Sequence, residues 1–156
     1  MANLFPTGYE NAVITEADRK SNSATGYRNG IAFDFETGDF KRDGKNSLMD
    51  SDGIESWKSW CITCLQTERY AHLACPSDFG IDTAAAMRAT SMAEAESILT
   101  REITEALLAD PYGRTKYVED ITYEWTAPDT VMISATIHGI EDVSIDITAY
   151  LTKGGT

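Results

Sequence analysis

Residues 121–151 read ITYEWTAPDTVMISATIHGIEDVSIDITAYL. Apolar side chains recur at every second position in three runs: Ile121, Tyr123 and Trp125; Val131, Ile133, Ala135 and Ile137; then Val143, Ile145, Ile147, Ala149 and Leu151. A period of two puts one set of side chains on one face of a pleated strand, so each run reads as a half-buried β-strand. Pro128-Asp129 and Gly139 punctuate the runs. Connections this short favour an antiparallel meander with a single apolar face, and that face has to be covered by something else.

Two helices upstream can cover it. Ser91-Met-Ala-Glu94 has the spacing of a capping box, and Ala95, Ile98, Leu99, Ile103, Ala106 and Leu107 follow on one helical face. Pro111 and Gly113 close this helix. Its opposite face, with Glu96, Arg101, Glu102 and Glu105, is expected to be solvated; Arg101 and Glu105 form an i,i+4 pair worth about 0.2–0.5 kcal/mol. An earlier helix starts after Asp50-Ser51-Asp52, whose side chains suit an N-cap, and carries a stripe of Ile54, Trp57, Cys61, Cys64 and Leu65. Between the two, Arg69–Gly80 suits a short strand and a turn, with Pro76 barring a central strand, and Thr83–Arg88 a short alanine-rich helix. Ile31, Phe33 and Phe35 alternate before a turn at Thr37-Gly38 and a return at Phe40, which predicts a strand or small hairpin.

The fold class is therefore α+β: an antiparallel C-terminal meander of about three strands plus an N-terminal strand, packed on two main helices. Residues 1–30, rich in Ser, Asn, Gly and Thr, read as an extended or partly disordered arm, 31–152 as a single domain, and 153–156 as a loose tail. A chain of 156 residues suffices for one such core without staples.

Thirteen basic residues against twenty-five acidic ones give a net charge of −12, the wrong balance for a phosphate-backbone footprint, so nucleic acid is not an expected partner. No apolar run is long enough for a membrane span, and the start MANLFPTGYENA lacks the basic and apolar regions of a secretory signal, which predicts synthesis in a cytoplasm. Neither GxxxxGK[ST] nor GxGxxG occurs, so no nucleotide cofactor is expected, and His72 and His138 belong to no hydrolase motif. Three cysteines in such a chain read as free thiols. Cys61-Ile-Thr-Cys64, with His72 and Cys75 beyond it, formally supplies four zinc ligands. Cys61 and Cys64 nevertheless share the apolar stripe of the first helix, where small thiols serve as core residues, and the expectation is no metal. Glu68-Arg69, between a helix and the next segment, has to be paired, exposed or held for a partner.

The order of these segments resembles a known family. The helix running into Leu65-Gln-Thr-Glu-Arg-Tyr70, the aromatic-Gly step at Phe79-Gly80, the helix containing Arg101–Asp110 and the three alternating strands together look like the baseplate wedge and sheath-initiator family of contractile phage tails, over roughly Phe33–Leu151. That family has carried a lysozyme-like label and is similar to the small baseplate subunit of type VI secretion. It often shows Glu-Pro-Arg at the helix exit, where this chain has Glu68-Arg69 without the proline. The resemblance implies a virion or tail-particle baseplate protein that joins wedge proteins to tube and sheath and starts sheath assembly. Its implied partners are the wedge proteins and the sheath protein, with the tail tube as a third. Partner-binding residues are then Glu68 and Arg69 as charged contacts and Val143, Ile145, Ile147, Ala149 and Leu151 as a strand edge, with no catalytic residue. Two other readings compete: a cell-wall muramidase, for which no acid and nucleophile can be named, and a free-standing binding module or assembly chaperone.

Overall fold

The molecule is described by a computed structural model for residues 26–152. Residues 1–25 of the arm expected over 1–30, and the tail over 153–156, lie outside the described residues. Four two-residue strands come first: β1 (Gly30–Ile31), β2 (Phe33–Asp34), β3 (Asp39–Phe40) and β4 (Asp50–Ser51). Helices α1 (Gly53–Gln66), α2 (Thr83–Met87) and α3 (Met92–Leu108) follow, then strands β5 (Thr115–Ala127), β6 (Thr130–Gly139) and β7 (Ser144–Thr152). The C-terminal strands form one antiparallel sheet in the order β5-β6-β7.

β6 is the centre of this architecture. Val131, Ile133, Ala135 and Ile137 are all buried, while the alternate residues are half-buried on the other face. The period of two thus becomes a core face, against which α1 packs beneath β7 and α3 beneath β5. Leu99, Ile103, Ala106 and Leu107 of α3 and Trp57, Cys61, Cys64 and Leu65 of α1 complete the core. Each large aliphatic among them contributes about 1.5–3 kcal/mol by leaving water.

Local chemistry sets the helix ends. The Asp52 carboxylate accepts the Glu55 N–H at 2.8 Å to open α1, and Ser91 Oγ accepts the Glu94 N–H at 3.2 Å to open α3. The Glu94 carboxylate reaches Thr90, accepting from its N–H at 2.8 Å and its hydroxyl at 2.7 Å, so the expected box is displaced by one residue. Ile54, expected in the α1 stripe, is 41% exposed. It occupies the first turn, where it lines an open groove with Phe33, Phe35 and Ile145. The Arg69–Gly80 segment forms turns, with one bridge between Glu68 and Ile81 in place of a strand. The N-terminal strand becomes two short ladders, β1 with β4 and β2 with β3; Asp50-Ser51, read as capping residues, pair with Gly30-Ile31.

Tyr27, inside the stretch read as an arm, is a core residue. Its ring sits 5.4 Å from that of Trp57, and its hydroxyl donates to the Ile140 carbonyl at 2.8 Å. Trp57 Nε1 in turn donates to Thr115 Oγ1 at 3.2 Å. Gly139 lets these groups meet: a Cβ there would lie 2.6 Å from Trp57 Cη2 and collide with the Tyr27 hydroxyl.

Between α3 and β5 stands a buried ion pair that sequence reading did not find. Arg114 donates through Nε to Asp110 Oδ2 and through Nη2 to Oδ1, both at 2.8 Å, and the Arg114 backbone N–H donates to the same carboxylate. The guanidinium also lies over Tyr112, 5.0 Å from the ring centre, and 5.8 Å from that of Trp60. Burial alone would raise the Asp110 carboxyl, but the hydrogen bonds and charge of Arg114 outweigh it and hold the group below its ordinary range.

Two outcomes follow for stability. Leu99→Ala, which empties a fully buried site, should cost about 2–5 kcal/mol in urea unfolding, with the slope unchanged. Asp110 has a lower pKa folded than unfolded, so its contribution is full above the unfolded value of about 3.9 and disappears as pH falls through the folded value. Asp110→Asn should be less stable than wild type at pH 7 by about 3 kcal/mol and should lose less stability on acidification, as read by thermal melts against pH.

Candidate functional site

A three-stranded sheet has two edges, and here they differ. β7 pairs with β6 through nine consecutive residue pairs, from Thr130 with Thr152 to His138 with Ser144, without a bulge. β5 is broken by three register shifts against the same neighbour, and Asp120, at one of them, has a positive φ of 52°. Bulges and charged residues are the usual means of blunting an edge against further pairing, and β5 carries both, with Glu119, Asp120 and Glu124 along it. Among the described residues no other backbone pairs with the outer side of β7. It presents a regular row of N–H and C=O groups.

The residues expected to bind partners fall into distinct places. Val143 precedes β7, and its carbonyl accepts the Gly139 N–H at 2.7 Å, closing the connection from β6. Ile145 is half-buried, and Ile147, Ala149 and Leu151 are buried, all on the core face. Their side chains hold β7 on the core, so what this strand can offer a partner is its backbone and its outward side chains: Ser144, Asp146, Thr148, Tyr150 and Thr152, all exposed. Tyr150, 58% exposed, is an outward aromatic that the apolar periodicity passes over, because it stands on the other parity.

Glu68 and Arg69 also part company. Glu68 is exposed and lines a small hollow with Leu65, Gln66, Tyr150, Leu151 and Thr152 at the end of β7. Arg69 turns inward, where Nη1 lies 3.2 Å from Glu102 Oε2 and Nε donates to the Gly80 carbonyl at 3.0 Å. Glu102, expected on the solvated face of α3, is only 6% exposed. Its carboxylate also accepts the Asp82 N–H at 3.3 Å and meets Arg101 at 3.2 Å, so it clamps the exit of α1 and the start of α2 onto α3. An acidic side chain can be buried there because each oxygen has a cationic partner. Gly80 completes the clamp: its φ is +88°, and a Cβ would stand 2.6 Å from the Thr67 carbonyl oxygen. The expected Arg101–Glu105 pair is present at 4.0 Å on the exposed face.

Two of the three cysteines are core residues, and Cys75 is half-buried in the turns before α2. Cys61 and Cys64 are fully buried, burial above all pushes the Cys61 thiol up, and Cys64 is pushed up to about 11. Both are protonated at neutral pH, the form that neither attacks nor ligates. Among the described residues no group of three or more His, Cys, Asp or Glu side chains is placed to hold a metal ion. His72 is exposed, and His138 lies on the sheet's outer face, 2.6 Å from Glu119 Oε1 and stacked on Tyr117.

No curated protein matches the chain. A family model described as contractile injection system sheath initiator matches residues 29–142, which spans both helices that cover the sheet and the strands β5 and β6. With most of its length inside that match, the chain belongs to the sheath initiator family of contractile injection systems, whose role is structural and tied to sheath and baseplate.

Proposed function

We propose that this protein is the baseplate component that joins wedge proteins to tube and sheath and starts sheath assembly by giving the β7 edge to the first sheath ring. The observation that carries the reading is the contrast between edges: a bulge-free nine-residue strand open on one side, a bulged and charged one on the other. An open edge accepts a strand by β-augmentation, in which backbone hydrogen bonds give affinity and alternate side chains give register. The buried side chains of Ile147, Ala149 and Leu151 hold β7 on the core for this purpose, and Glu68, exposed beside its end, is the charged contact. Arg69 acts through position, by holding the α1 exit against Glu102 and Gly80.

On this reading the chain catalyses no reaction, and residues 31–152 work as one unit. It is made in the host bacterial cytoplasm and resides in the baseplate of a virion or tail-like particle.

Glu68 and Arg69 separate binding from folding. Glu68→Lys should leave the melting temperature unchanged and reduce co-sedimentation of the protein with sheath subunits. Arg69→Ala, which removes a partner from the buried Glu102 carboxylate, should destabilise the monomer by about 1–3 kcal/mol in denaturant titration. A Glu68→Lys protein that co-sediments like wild type would remove Glu68 from the interface.

A further inference from the structure

The edge of β7 does not face open solvent along its whole length. At the Ile145 end it borders a trough of about 820 Å3, walled on one side by Ile54, Lys58 and Ile62 of α1 and on the other by the β2–β3 hairpin with Phe33 and Phe35. At the Leu151 end the flanking space shrinks to a hollow of about 60 Å3 bordered by Gln66, Glu68 and Thr152. A strand added to β7 would turn every second side chain toward the α1 side, and those side chains would meet the trough first and the hollow last.

Resting on the edge reading above, we propose that the trough beside β7 selects the incoming strand by its side chains. Large apolar residues seat over Ile54, Ile62 and Ile145, and small or polar ones lie at the Glu68 end. Free backbone groups along β7 require an extended occupant, and the volume of the trough admits more than one bulky side chain. Ile54 and Phe35, exposed at 41% and 37%, are apolar surface such an occupant would cover. Charge decides between candidate occupants. The trough has four carboxylates, Asp34, Glu36, Asp52 and Glu55, against Lys41 and Lys58. A second copy would bring the same acidic excess to the junction, whereas a strand of another protein carrying Lys or Arg at its margins would neutralise it. The occupant is therefore a basic-flanked, apolar-alternating strand from a different chain.

The test uses contractile particles assembled with wild-type protein or with Ile54→Glu, a substitution at an exposed position that should leave the melting temperature unchanged. Amide hydrogen exchange over residues 144–152 reports whether β7 is paired, and sheath recovered per particle reports affinity. Protection of β7 in wild-type particles with at least a roughly tenfold loss of sheath for Ile54→Glu is the expected result, since burying one such side chain is worth that much in affinity. Protection of β7 with no loss for Ile54→Glu would overturn the trough while leaving the edge reading intact. No protection of β7 in the particle would remove the edge reading and the trough with it. A concentration-dependent dimer of the free protein that Ile54→Glu abolishes would make the occupant a second copy and overturn the assignment to another chain.

Discussion

A sheet of three strands can bury one face but cannot close on itself, and that constraint organises the molecule. β6 takes the centre, where both of its sides are paired and its alternate residues meet the helices. The buried apolar side chains of α1 and α3 cover one face of the sheet, which leaves the two edges to be managed by other means. At β5 the means are bulges, a left-handed Asp120 and a line of carboxylates. At β7 none of these devices operates, and the register stays regular to the last pair. In an isolated soluble protein such an edge is a hazard; in a protein whose family starts the sheath of a contractile injection system it is a place to build.

Two buried charge clusters keep the edge where the core puts it. Glu102 gathers Arg69, Arg101 and the Asp82 N–H, and so fixes the loop between α1 and α2, whose start lies beside the end of β7. Asp110 and Arg114 do the same between α3 and β5, with the Arg114 carbonyl accepting the Ile140 N–H to tie in the β6–β7 connection. Buried ion pairs contribute little net stability compared with apolar packing, because both charges lose water. Their value here is geometric, since each carboxylate accepts several donors at set angles and leaves few alternative loop arrangements.

The elements legible in the sequence were those defined by local spacing. The stripe of Trp57, Cys61, Cys64 and Leu65, the run from Ala95 to Leu107 and the alternation from Val131 to Ile137 each became the element expected, because periodic burial needs no knowledge of distant partners. Glu102 was misread for the complementary reason: on a helix wheel it looks solvated, and only the fold brings Arg69 to it. Tyr27 was hidden in a polar stretch, and the Asp110–Arg114 pair spans Pro111 and Gly113, where a helix was seen to end and not a clamp to begin. For the candidate edge, the alternation marked the strand and its inward residues, while the outward Tyr150 and the trough along α1 depend on how separate elements pack.

A cryo-electron map of the contractile particle from the strain that makes this protein would show which edge is used. Continuous density for a sheath strand hydrogen-bonded along residues 144–152, with the bulged β5 edge free, is the expected finding. A sheath strand paired along β5, or a β7 edge left in solvent beneath a complete first ring, would contradict it.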